Sequence, residues 1–156
     1  MNIQIRDAVA ADVPLLKQLI EEMSEYERLP LSINEETLLR DGFAGVPKFR
    51  VLLAFGGEDA AGYAFVHGCY SSFQGAGLFL EDLFVRTSFR GNAVGSALLA
   101  AVARLAIDEK CFGIVLNVLE WNAPAFAFFA RAGAVPTADR SILCIERNRL
   151  AGLIER

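Results

Sequence analysis

Histidine is almost lacking in this sequence: His67 stands alone among 156 residues. One imidazole cannot supply an ordinary zinc site, and a Ser-His-Asp arrangement has only this base to draw on. The cysteines Cys69, Cys111 and Cys144 show neither paired nor metal-ligand spacing. An odd number without an export signal predicts reduced, buried thiols in the cytoplasm. The opening "MNIQIRDAVAADVP" is charged early and carries no signal-peptide hydrophobic stretch. Hydrophobic residues make up 54% of the chain, yet no apolar run is long enough for a membrane helix. Cationic excess is also lacking: the formal net charge is −4, which gives no electrostatic footprint for nucleic acid. Internal repeats, low-complexity tracts and long linkers are absent, so one domain over residues 1–156 is expected.

What is present is a strong alternation of strand and helix patterns. "NIQIRDA" alternates apolar and polar side chains and predicts a first strand. "AADVPLLKQLIEEMSEYE" follows, with Val13, Leu16, Ile20 and Met23 at helical spacing and Asp12 as an acidic start. "NEETLLRDGF" predicts a short helix with Asn34 as cap and Gly42 as stop. "FRVLLAF" and "AAGYAFVHGCY" flank "GGED", a hairpin signal. "LFLEDLFV" is apolar on both faces and predicts a central strand. "GSALLAAVARLAIDEK" predicts a helix, "GIVLNVL" a buried strand, "NAPAFAFFARAG" a short helix and "RSILCIERNRL" a last strand. The order β-α-α-β-β-β-α-β-α-β indicates one mixed α/β sheet.

Two features do not fit a purely structural role. The first is Glu81-Asp82 in the middle of "LFLEDLFV", since a carboxylate in a buried strand is costly unless something compensates it. Neighbouring strand residues point to opposite faces, so these two can serve one pocket only if a bulge or an edge brings them together. The second is "RGNAVGS", residues 90–96, between that strand and a helix N-terminus. Free amides and the positive dipole end make such a turn an anion site, with Arg90 adding a cation. It lacks the lysine of a Walker A loop and the spacing of a dinucleotide fingerprint, so on its own an ordinary tight turn is the competing reading.

"RGNAVGS" resembles the pyrophosphate-binding motif of the GNAT acetyltransferase superfamily, R/Q-x-x-G-x-G/A, with Arg90 first, Ala93 in the middle glycine's place and Gly95 last. "EWNAPAFAFFARAGA" resembles the second acetyl-CoA segment, and "IRDAVAAD" the opening strand and helix. "YERL", "LLRDGF", "LFLEDLFV" and "LEWNAPA" together resemble the diamine acetyltransferases, the spermidine/spermine and thialysine enzymes. The resemblance implies an α/β GNAT fold, with a mixed, mostly antiparallel sheet splayed between strands 4 and 5 and flanked by helices. It also implies an acetyl-CoA-dependent N-acetyltransferase acting on a small primary amine, with no metal, and a homodimer.

The same resemblance assigns residues. Glu81 is the base that deprotonates the acceptor, and Asp82 binds the cationic acceptor or else partners a buried Arg or amide. Tyr26 and Glu27 match an acceptor-side position, though an exposed helix end is the plainer reading. Asp41 either binds acceptor or braces a loop. Acetyl-CoA is expected along the backbone of Leu83 and Val85, with its pyrophosphate on the amides of Gly91, Ala93, Gly95 and Ser96 beside Arg90, and with Asn122 touching it from the next helix. A base is needed because an alkyl ammonium has a pKa of about 10.

The chain also departs from the family. Phe129 stands where the family has a tyrosine that protonates the CoA thiolate, and phenylalanine has no proton to give. Water or another group then protonates the thiolate, or the thiolate leaves with little help, or the protein binds acyl-CoA without efficient turnover. Ser71 and Phe73 replace a carboxylate and a tryptophan of polyamine-specific relatives, which favours a short amine over spermine. The rival readings are a different acceptor, such as a protein N-terminus, and an acyl-CoA-binding regulatory module. Phe126, Phe128 and Phe129 are expected to lie mostly in the core.

Overall fold

A computed structural model describes residues 2–137 and 145–154. The chain divides into two compact units, Met1–Asn117 and Val118–Arg156. The first unit holds a five-stranded sheet in the order β1-β2-β3-β4-β5. Its strands are β1 (Ile3–Asp7), β2 (Arg50–Gly56), β3 (Asp59–Ser71), β4 (Gly75–Val85) and β5 (Ile114–Leu116). The first four pair antiparallel, and β5 joins β4 in parallel. Helices α1 (Val13–Glu27), α2 (Glu35–Gly42) and α3 (Val94–Asp108) belong to the same unit.

Apolar spacing explains the layers. Val13, Leu16, Leu19 and Ile20 form the buried stripe of α1, and Leu38 that of α2. They share one core with Val51 and Leu53 of β2, Tyr63 of β3 and Phe84 of β4. Helix α3 buries Val94, Leu98, Val102 and Ala106, and it contacts β3 and β4. The chain leaves β4 through α3 and returns in parallel as β5, the βαβ crossover that a parallel pair requires.

Several local expectations change. Asp12 sits at the start of α1, but its carboxylate accepts from the Val9 N–H at 2.8 Å and from both terminal nitrogens of Arg6, so it caps the preceding turn instead. Asn34 does cap α2, accepting from the Thr37 N–H at 2.9 Å. Gly42 is the last helical residue and not a left-handed stop; the helix runs on to a cap at Phe43. A Cβ on Gly42 would lie 2.3 Å from the Phe49 ring, so close packing is what requires glycine there. The "GIVLNVL" segment yields only Ile114–Leu116 as strand, and none of the three is fully buried. Cys69 and Cys111 are free but half-buried, and Cys144 lies outside the described residues.

The second unit contains α4 (Ala123–Arg131) and α5 (Arg147–Ile154). Residues 140–144 of the expected last strand lie outside the described residues, while Arg147–Leu150, also expected as strand, are helical. In α4, Phe126 is 53% exposed, and Phe128 and Phe129 are half-buried, so the aromatic run is not core as expected.

The Gly42–Phe49 contact is testable. The Phe49 ring is held by Phe65 at 4.3 Å between centroids and by Phe43 at 6.1 Å, so it has little room to retreat. Gly42→Ala is expected to destabilise the protein by about 1–3 kcal/mol despite alanine's better helix propensity, read as a lower urea midpoint.

Candidate active site

The site begins with an irregularity in β4. Phe65 of β3 pairs with Asp82, and the next residue, Val66, pairs with Leu80. Glu81 is therefore the extra residue of a β-bulge. Tyr63 and Phe65 face the α1 side of the sheet, so their partners Phe84 and Asp82 face that side too. Glu81 also turns to this side: its Oε2 lies 3.4 Å from Nε2 of His67, two residues beyond Phe65 on β3. The bulge thus brings both carboxylates to one face, as their shared use requires.

Asp82 is held from beneath. The Tyr63 hydroxyl, fully buried, donates to Oδ2 of Asp82 at 3.0 Å. Burial is the main cause that pushes the Asp82 carboxyl up to about 6; the charges of Glu81 and Glu27 add to it, and the Tyr63 bond works against it. Glu27, in the last turn of α1, is itself raised by burial. Among the described residues no Lys or Arg pairs with Glu27, Glu81 or Asp82, so the alternative of a structural arginine partner for Asp82 is not realised. Three carboxylates grouped without a Lys or Arg partner suit a cationic guest.

The nearby arginines are committed elsewhere. Arg86 forms a two-pronged pair with Glu22 of α1 at 2.6 and 2.8 Å and donates to the Ala60 carbonyl at 2.9 Å. Arg90 donates from Nε to the Val85 carbonyl at 3.0 Å, and its guanidinium sits 4.5 Å from the centre of the Tyr26 ring. Asp41 binds both Arg40 and Lys48, which is the bracing role.

Strand pairing leaves one edge open. The β4–β5 ladder ends at Leu80↔Leu116, immediately before the bulge, so the two strands splay as expected. A bulge bends its strand and sharpens its twist, which ends the parallel pairing there. The Arg86 N–H donates to Ala61 on β3 at 2.9 Å. By alternation the backbone groups of Leu83 and Val85 face the other way, towards the open side of β4. Among the described residues no strand pairs with that edge beyond Leu80.

The turn after β4 ends in helix α3. Gly91 has φ 79° and Ala93 has φ 63°, so Ala93 occupies a left-handed position that normally favours glycine. Alanine there costs about 1–2 kcal/mol of backbone strain but keeps the side chain to one methyl. Asn92 braces the turn through the Phe89 and Arg90 carbonyls. The first helical bond runs from the Ala97 N–H to the Ala93 carbonyl at 2.9 Å, so the amides of Val94, Gly95 and Ser96 have no intrahelical acceptor. Gly91, Ala93 and Ser96 are solvent-exposed, and a diphosphate could reach these amides.

In the second unit, Asn122 is buried and its side chain accepts from the Ala125 N–H at 3.2 Å, capping α4. Phe129 packs edge-on against Phe128 at 5.1 Å. Two residues of the acidic site were not singled out from sequence. His67 was noted only as a solitary imidazole. Tyr63 lay within an apolar strand, where its one signal was a buried hydroxyl that needs a partner.

Residues 16–134 match the sequence model described as the Acetyltransferase (GNAT) family. The chain belongs to this family. It is 34% identical over 142 residues to the thialysine N-epsilon-acetyltransferase of Bos taurus, covering 85% of this chain and 84% of that one. It is 30% identical over 141 residues to a human spermidine/spermine N(1)-acetyltransferase-like protein 1, covering 85% of this chain and 20% of that one. An integron cassette protein from the mobile metagenome of V. cholerae shares the fold at TM-score 0.80 and 21% identity, covering 100% of this chain and 99% of that one. An aminoglycoside acetyltransferase from an uncultured soil sample does so at TM-score 0.74 and 18% identity, covering 92% and 94%. The GNAT architecture is therefore the observed one, and the enzyme is an acetyltransferase.

Burial of Asp82 carries a stability consequence in this acetyltransferase. A carboxyl whose folded pKa is raised from 3.8 to about 6 favours the fold while protonated; that contribution is lost as pH rises through about 6. Asp82→Asn is therefore expected to raise unfolding free energy at pH 7.5 by about 1–3 kcal/mol, with the gain vanishing near pH 4. Urea unfolding at the two pH values reads this directly.

Proposed function

We propose that this GNAT enzyme transfers acetyl from acetyl-CoA to a small primary amine: a diamine, a polyamine or a lysine-like amino acid. The observation that carries the reading is the bulge that gathers Glu81 and Asp82 on one face, near Glu27, with no Lys or Arg among the described residues paired to them and only the His67 imidazole beside Glu81. The names of the thialysine and spermidine/spermine relatives support it independently. The whole chain would act as one acetyltransferase domain.

In this reading the acceptor ammonium docks against Asp82, Glu27 and the Tyr26 ring. Glu81, exposed at the bulge, takes one proton from it, directly or through water. The free amine then attacks the thioester carbon; the N–C bond forms as the C–S bond breaks. The open edge at Leu83 and Val85 offers backbone N–H groups to the thioester oxygen or the pantetheine arm. The amides at Gly91, Ala93, Gly95 and Ser96, with Arg90 beside them, suit the pyrophosphate. Arg90 spends its Nε on Val85 and its face on Tyr26, so it also ties the phosphate turn to the acceptor side. Asn122 and Phe129 enter through the family resemblance. Phe129 supplies no proton, so water protonates the departing thiolate, whose ordinary pKa of about 8.5 makes it a fair leaving group. The donor set calls for no metal. Free thiols at Cys69 and Cys111 suit a cytoplasmic setting, and a homodimer follows the family pattern.

Phe129 also favours a second reading, an acyl-CoA-binding module with little turnover. Steady-state release of CoA thiol separates the two, using spermidine, putrescine, lysine, thialysine and a peptide N-terminus as acceptors. The enzyme reading expects amine-dependent release that falls at least about tenfold in Glu81→Gln, with acetyl-CoA binding retained. Tight acetyl-CoA binding without release by any amine would favour the module. A rate indifferent to the substitution would remove Glu81 from its role.

A further inference from the structure

The Tyr63 hydroxyl has one proton and two acceptors within reach: Oδ2 of Asp82 at 3.0 Å and the Met23 sulfur at 3.2 Å. A carboxylate oxygen is much the stronger acceptor, and a thioether a weak one, so the proton is committed to Asp82. Tyr63 is fully buried and its ring packs near Phe84, 6.1 Å between centroids, beneath α1. It cannot swing away without vacating core volume. One oxygen of Asp82 is thus pinned from within the buried core.

We propose that Tyr63 is a positioning residue of the acceptor site: its hydroxyl holds the Asp82 carboxylate in one orientation and in the charged form, the form that pairs with an ammonium. This rests on the amine-acetyltransferase reading. The groups that face Asp82 divide cleanly. Glu81 from β4 and Glu27 from α1 repel its charge, burial opposes it as well, and the Tyr63 hydroxyl from β3 is the one group that favours it. Without that bond Asp82 would hold its proton at higher pH and lose its attraction for a cation near neutrality. The arrangement keeps a buried acidic site usable without placing a competing arginine or lysine in it.

Tyr63→Phe removes one oxygen and keeps the ring, and circular dichroism would check its fold. Two readouts are needed: the pH dependence of amine KM at saturating acetyl-CoA, and the titration of the Asp82 carboxyl followed by carbon NMR. The proposal expects the Asp82 titration to move up by about one unit in the variant. It expects amine KM to rise about threefold near pH 6.5 and to converge with wild type near pH 8.5, while KM for acetyl-CoA stays unchanged. An Asp82 titration identical in both proteins would overturn it, as would an amine defect of equal size at every pH. If wild type turns over no amine, the amine reading fails, and the carboxyl titration still decides what Tyr63 does to Asp82.

Discussion

Everything in the proposed chemistry depends on a single extra residue in β4. Glu81 interrupts the pairing with β3, and this one irregularity does three things at once. It turns two consecutive carboxylates to the same face. It ends the ladder with β5 at Leu80, which leaves the Leu83 and Val85 backbone open. It also sets the direction in which the strand leaves for the turn at Gly91 and helix α3. A regular strand would bury one carboxylate among the apolar side chains under α3 and close the edge against β5.

In the proposed function the acidic site and the turn before α3 are opposite solutions to the problem of holding charge. Near Asp82 the chain collects like charges and leaves them without a Lys or Arg partner among the described residues, which raises the carboxyl's affinity for protons and cations alike. At α3 it exposes backbone amides and accepts strain at Ala93 to do so. Arg90 stands between, bonded to the end of β4 and stacked on Tyr26 at the end of α1. Arg86, paired to Glu22, fastens the same helix to the strand one turn earlier. These two arginines fix helix α1 against the end of β4.

How much was legible in the sequence follows from where each signal lies. The buried stripe of α1, the "GGED" hairpin and the central place of β4 come from periodicity and turn chemistry, which are local. Glu81-Asp82 is legible because charge in an apolar strand is an anomaly, and the bulge follows from asking how both could serve one site. Gly42 was misread because a glycine at a helix end looks like a left-handed cap, while its cause is the ring of Phe49, distant in pattern though close in space. Asp12 does stand at the start of α1, but what its carboxylate binds was not legible, because its partners, Arg6 and the Val9 amide, lie behind it. The α4 phenylalanines were taken for core because hydrophobicity does not say which face a helix buries. Tyr63 stayed hidden because a hydroxyl inside "AGYAFV" announces nothing until its partner is known.

In the proposed function, three carboxylates near the bulge recognise positive charge on the acceptor. The direct measurement is calorimetric binding of putrescine and of its diol analogue to the CoA-saturated protein, at pH near 7.5 and near 5. The account predicts that the diamine binds at least about tenfold tighter than the diol at the higher pH, and that the gap narrows at the lower pH as Asp82 takes up its proton. Equal binding of the two at the higher pH, or a gap that ignores pH, would contradict it.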